Sequence, residues 1–361
     1  MTERQLIDWL LENASEVIKY RVAREFLDEN VYFDFERMQI ELLKNPDVQV
    51  WLKNLKPEIP FKWNLIHGSF DWQFENSMLK VIRLGLHAGI PEVDEIAKYY
   101  INYLETESVK TENKRELFNS IIVATMLLAV GYTDDIVRDF MKNSLDSLSK
   151  FTDNKNYHIY VENRDDYKGI PKNWKHSPII KPQLLKEHGF CYPMVYDLIG
   201  LSSMYSLADG STNEKVNSVI KYILCDDFHN KIKDGYGILA VGEGRYHSMG
   251  WDPKLPGYFD VSDYAKTSPH QLLFYADILS KYPIAVKSRW YSNVITHLEQ
   301  FKTEIGTYCF PKEYLREKTG YAVQGFHLGL GENKRKKTWC EVESTFIMLK
   351  LKKSLQIQVL F

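Results

Sequence analysis

The chain is short of cysteine, of long apolar runs and of any excess of one charge, and each shortage removes a class of protein. Its four cysteines, Cys191, Cys225, Cys309 and Cys340, lie far apart and form no C-x-x-C pair. That argues against a disulfide framework or a zinc knuckle and suits reduced thiols in a cytoplasmic protein. No apolar run reaches ~18 residues, the length a helix needs to cross a bilayer, so no membrane span is expected. The opening residues Met1 to Gln5 lack a basic segment leading into an apolar core, so no secretory signal is expected either. Lys plus Arg number 46 and Asp plus Glu 48, a net charge of −2 with the signs interspersed. Such a balance recruits neither nucleic acid nor an anionic membrane. The one basic run, Lys334-Arg335-Lys336-Lys337, reads as a solvated loop. His87, His176, His188, His229, His247 and His327 offer no H-x-x-x-H or H-E-x-x-H pair, so no metal site is predicted. Gly235 to Gly244 lacks the G-x-G-x-x-G spacing and a strand-to-helix context, so no nucleotide or other cofactor is predicted.

Aromatic side chains are abundant: 23 Tyr, 18 Phe and 8 Trp make up 14% of the chain, enough to line a cavity as well as to fill a core. The pattern around them is helical. From Glu75 to Leu148 the sequence reads as two consecutive helical hairpins on one plan. The first half of each is apolar on almost every side, as in Leu117 to Val130, which carries no charge. The second half is one-sided: Ile96, Ala97, Tyr100, Ile101 and Leu104 in one case, Ile136, Val137, Phe140, Met141, Leu145 and Leu148 in the other. A helix apolar all round is buried, and one with a single apolar stripe lies at a surface. Each hairpin turns at a glycine, Gly89-Ile90-Pro91 and Gly131-Tyr132-Thr133, and the recurrence after about 42 residues marks an internal repeat of a two-helix unit.

Further apolar helices begin near residues 15, 192, 262 and 341, giving six with those at 75 and 117. Alternation of inner and outer helices, six of each, predicts an all-α fold, an α6/α6 toroid forming a single domain over residues 1–353. Three long loops, 151–189, 225–260 and 303–338, are expected to cap one mouth. Residues 354–361 form a C-terminal tail that carries no function here. The sequence does not define an oligomeric state.

Several segments together resemble a known family. Trp9-Leu10-Leu11 with Ile18-Lys19-Tyr20-Arg21, the two hairpins, Cys191-Tyr192-Pro193, Pro256-Gly257-Tyr258-Phe259-Asp260 and the closing helix Trp339 to Leu351 look like bacterial proteins of the terpenoid-cyclase and protein-prenyltransferase (squalene-cyclase-like) α/α toroid type. The resemblance implies a central cavity lined by aromatic residues that binds an apolar ligand, with an isoprenoid as one candidate. It does not bring the catalytic motifs. The D-x-D-D acid motif of class II cyclases is replaced by Asp260-Val261-Ser262-Asp263, no D-x-C zinc pair occurs, and the Q-W repeats are missing.

In such a toroid the inner helices run parallel, so polar residues at their N-termini are the best-placed functional groups, and the helix dipoles there favour anions. This singles out Asp260, Asp263 and Asp197 as candidate catalytic acids. Trp72, Glu75, Tyr192, Tyr196, Trp251, Tyr258, His270, Trp339 and Glu341 are candidate ligand-binding residues, with Asn76, Glu116, Asn119 and Glu343 nearby. Glu75, Asp260, Asp263 and Glu341 equally suit plain helix capping. Trp251 and Tyr258 beside Asp260 and Asp263 form the expected centre: aromatic faces to stabilise a carbocation, and a desolvated carboxylic acid to donate a proton. Two other readings stand beside the cyclase-like one. A carbohydrate-active toroid (hydrolase, epimerase or lyase) would line an open cleft with aromatics and use acids or a Tyr–His pair, and a non-enzymatic scaffold would fill its own cavity.

Overall fold

The alternation of all-apolar and one-sided segments becomes an alternation of buried and half-exposed helices. The computed structural model describes residues 1–27, 34–56, 65–107, 114–184, 192–207 and 210–357. The longer helices, in order, are α1 Glu3–Asn13, α2 Glu16–Phe26, α3 Phe35–Lys44, α4 Pro46–Asn54, α5 Phe74–Arg83, α6 Pro91–Glu107 and α7 Lys114–Val130. They continue as α8 Asp135–Asp153, α9 Val195–Leu207, α10 Gly210–Ile223, α11 Pro269–Leu279, α12 Arg289–Glu299 and α13 Trp339–Ile357. In α5 every residue from Phe74 to Val81 is buried, and α11 and α13 are nearly as enclosed. By contrast α8 and α12 bury one stripe each, Val137, Met141, Leu145 and Leu148 in the first and Trp290, Tyr291, Val294 and Leu298 in the second.

The buried helices pack in chain order: α5 on α7, α7 on α9, α9 on α11, α11 on α13, and α13 back on α2. The Arg21 guanidinium of α2 then donates to the Arg83 carbonyl that ends α5, at 2.6 Å. Outside them, α6 and α8 lie against α7, and α10 against α8. The two glycine turns meet, because the Ala88 N–H donates to the Val130 carbonyl at 2.8 Å. Gly89 and Gly131 both sit at positive φ, 95° and 116°, the conformation that lets the chain reverse there.

Later turns of four buried helices gather at one place. Arg83 and Lys350 flank Asp277 at 3.7 and 2.6 Å, and Arg21 pairs with Glu25 at 2.6 Å. Burial alone would raise the Asp277 carboxyl, but Lys350 and Arg83 hold it well below its usual range. Cations at this end complement the carbonyl ends of the helices.

The insertions are more ordered than the all-α reading foresaw. Ile179–Ile180 (β1) pairs in parallel with Ile238–Gly242 (β2), and β2 pairs antiparallel with Arg245–Ser248 (β3), so a small sheet joins the first two insertions. The third is fastened from beneath by α5 and α13. Lys80, 2% exposed, donates to the Glu317 carboxylate at 2.8 Å and to the His327 and Gly329 carbonyls at 3.2 and 2.6 Å. The helix expected from residue 262 breaks in two. Val261–Tyr264 is a separate turn, and α11 begins at Pro269, whose ring excludes Ser268 from helical geometry (φ −142°, ψ 56°).

Glu343 of α13 is fully buried, and one of its oxygens accepts the Leu330 and Glu332 N–H groups at 2.9 and 3.3 Å. Burial pushes its carboxyl from 4.5 up to about 7. The folded protein thus holds a proton that the unfolded chain releases, so this group's contribution to stability is lost as pH rises from 4.5 through about 7. Glu343→Gln should match the wild type in urea denaturation at pH 4.5 and exceed it at pH 8, by up to about 3 kcal/mol.

Candidate functional site

The loop before α5 is held by the side chains of the helix it leads into. Gln73 accepts from the Phe70 N–H at 2.8 Å and donates to the His67 carbonyl at 2.7 Å. Asn76 donates to the Gly68 and Phe70 carbonyls at 2.8 and 2.9 Å, and Ser77 to the Asp71 carbonyl at 2.6 Å. Asn76 also accepts the Ala322 N–H at 2.8 Å, which ties the third insertion to the same point. Gly68 sits at φ 155°, and a Cβ there would lie 2.0 Å from the Gln73 amide and displace the side chain that fastens the loop. These contacts explain why Glu75, Asn76 and Ser77, three polar residues in a row, have no exposed surface.

The loop delivers His67 onto Glu75. One Glu75 oxygen lies 2.8 Å from the His67 Nδ1 and accepts the Gly68 N–H at 2.7 Å, and the other accepts the hydroxyl of Tyr196 from α9, whose oxygen also stands 3.3 Å from the His67 Nδ1. Burial, and then the facing Glu75, raise the Tyr196 phenol far above its ordinary value, so it stays a neutral donor. Aromatic rings frame the imidazole. Trp251 meets it edge-on at 4.9 Å, Phe118 at 5.1 Å, and Tyr321 stacks at 5.4 Å. Trp251 and Tyr321 touch each other at 4.6 Å. Trp251 stands at φ 61°, a left-handed conformation costly for a bulky residue, and its carbonyl accepts the Val195 N–H at 3.0 Å. The His67 side chain remains 24% exposed, and its Nε2 has no hydrogen-bond partner among the described residues.

Beside Trp251 opens a pocket of about 600 Å³, lined among others by His229, Asp252, Tyr258, Tyr264, Gln271 and Tyr275. Asp252 accepts the Gly235 and Lys254 N–H groups at 2.6 and 3.0 Å, and burial raises its carboxyl despite them. His229 stacks on Tyr258 at 3.6 Å, and burial lowers its imidazole to about 4, which keeps it neutral. Among the described residues no three His, Cys, Asp or Glu side chains gather as metal ligands would.

Of the residues singled out from sequence, Glu75, Tyr196 and Trp251 come together, and Tyr258 shares the adjoining pocket with Trp251. The expected acid centre does not form. Asp260 and Asp263 are exposed; Asp260 caps its short turn by accepting the Asp263 N–H at 2.9 Å, and Asp263 pairs with Lys266 at 3.1 Å. Asp197 is buried and pushed up to about 7 by desolvation, but it reaches back to the Met194 N–H at 2.7 Å as a first-turn cap. Tyr192 packs between Phe151 and Tyr236, and His270 lies against Phe326 with its imidazole lowered to about 4 by burial. Trp339 is buried, Glu341 accepts the Thr307 hydroxyl, and Trp72 turns outward to stack on Phe70. Cys191 and the side chain of Glu116 lie outside the described residues. His67, Phe118, Tyr321 and Asp252 were not foreseen. The clue to His67 was present in His67-Gly68-Ser69, a glycine turn eight residues ahead of an acid at a buried helix start.

No family model, curated protein or solved structure matches the chain. Tyr196→Phe keeps the ring but strips one buried Glu75 oxygen of its donor. Urea denaturation should register a loss of about 1–3 kcal/mol; an unchanged midpoint would mean that water replaces the hydroxyl.

Proposed function

We propose that the chain is an α6/α6 toroid whose inner-helix N-terminal mouth carries an acid–base site for a saccharide. Buried helices that pack in chain order from α5 to α13, with α13 against α2 and Arg21 of α2 bonded to the end of α5, support the toroid. The observation that carries the function is the buried Glu75 carboxylate on His67 Nδ1. With the Nδ1 proton committed to Glu75, Nε2 is the basic nitrogen of the neutral ring, and it is the one left to meet a ligand. The carboxylate orients the imidazole and stabilises the imidazolium formed when Nε2 takes a proton. One imidazole base beside a neutral phenol suits epimerisation or elimination better than hydrolysis, which needs two carboxyl groups facing across the bond. The adjoining pocket mixes aromatic faces with hydroxyl, amide and carboxyl groups, as a site for a polyhydroxylated ring requires. Free Cys225, Cys309 and Cys340 thiols suit a cytoplasmic setting.

The cyclase-like reading keeps one favourable observation, the aromatic rings around His67, which could steady a cation. It lacks a free acid at that place, since both Glu75 oxygens are already engaged by neighbouring groups.

The test is incubation with neutral and uronic-acid disaccharides in D₂O, followed by proton NMR. Wild type should exchange, epimerise or eliminate a ring proton of at least one sugar, and His67→Ala should lose about 100-fold or more of that rate. Glu75→Gln should fall with it. An isoprenoid or other lipid seen by native mass spectrometry in the purified protein, together with inert sugars, would return the site to the apolar reading.

A further inference from the structure

Phe70 and Trp72 lie on the loop that carries His67, with their rings parallel to within 8° and their centroids 5.6 Å apart. They are 56% and 36% exposed, among the most exposed large apolar side chains of the described residues. An exposed aromatic on a slack loop would carry no message. This loop is not slack: backbone groups of His67, Gly68, Phe70 and Asp71 are each bonded to a buried side chain of residues 73–77. Keeping Gln73, Asn76 and Ser77 inside the protein for this purpose costs desolvation, and the rings gain a defined position from it without gaining cover. A flat apolar surface that is already ordered loses little entropy when a flat ligand lands on it.

We propose that Phe70 and Trp72 form a second sugar-binding platform, so that the ligand is an oligosaccharide rather than a single sugar. The inference rests on the saccharide reading of the His67 site. Trp72 follows His67 by five residue steps, so their α-carbons are at most ~17 Å apart, within the span of a short sugar chain. The reacting sugar meets the exposed edge of His67, and the chain leaves over the Trp72 face. Aromatic rings suit this use because the C–H faces of a pyranose pack on them while its hydroxyls stay in water. The two rings carry no titratable group of their own, so they act on binding alone.

The experiment is calorimetric titration of the full chain with cellopentaose, xylopentaose, maltopentaose and pentagalacturonate, each beside its own dimer. Wild type should bind one pentamer about 10-fold tighter than its dimer, the worth of one well-seated aromatic contact. Trp72→Ala, a change at an exposed site that the core does not feel, should erase that preference and leave dimer affinity and the His67-dependent NMR exchange intact. A pentamer preference that survives both Trp72→Ala and Phe70→Ala overturns the platform and leaves the His67 reading standing. A panel in which no sugar binds, pentamer or dimer, overturns both.

Discussion

A carboxylate with no exposed surface must be given donors, and the structure around α5 follows from that need. Glu75 receives three, from His67, Gly68 and Tyr196. To supply the first two, the preceding loop folds back over the helix start. To supply the third, α9 brings Tyr196 alongside, with Thr125 of α7 near its carbonyl at 3.4 Å. One turn beyond, Lys80 repeats the logic with opposite sign: a buried ammonium must find acceptors, and it draws Glu317, His327 and Gly329 down onto α5. The loop that precedes α5 and the third insertion, far apart in sequence, are thus anchored on one ten-residue helix. Removing either partner of such a buried set leaves a charge stranded, which is why these positions constrain the fold more than their apolar neighbours do.

How much of this could be read from the sequence depends on the range of the interaction. Helix alternation was legible because apolar periodicity is local, and the glycine turns at Gly89 and Gly131 because a reversal at positive φ selects glycine within a few residues. The break before Pro269 was legible in principle from the proline and was overridden by the apolar run after it. The sheet was not: β1 and β2 are separated by more than fifty residues, and the short segment Ile179–Ile180 carries too little pattern to announce a partner. Asp260 and Asp263 misled because an acid just before a helix has the same composition whether it caps a turn in water or faces a cavity. His67 was missed because it lies on no helix. Its meaning comes from Glu75, Tyr196 and Trp251, which converge on it from α5, α9 and the second insertion.

Among the described residues, Glu75, Asp197 and Glu343, acids of the buried helices with almost no exposed surface, separate by how their oxygens are satisfied. Asp197 accepts one backbone N–H and Glu343 two on a single oxygen, and burial pushes each to about 7. Both act as local ties between their own helix and a neighbouring stretch of backbone. Of these three, Glu75 alone has both oxygens engaged, and two of the groups on it are side chains that could not be there for backbone reasons. One of those donors, His67, is also the only member of the set with a ring nitrogen still free to meet a ligand. A carboxylate buried merely to close a helix has no use for an imidazole; one buried to aim an imidazole needs this arrangement of donors, with aromatic walls on both sides and an open pocket beside it. That asymmetry, more than the abundance of aromatic residues, is what the proposed site rests on.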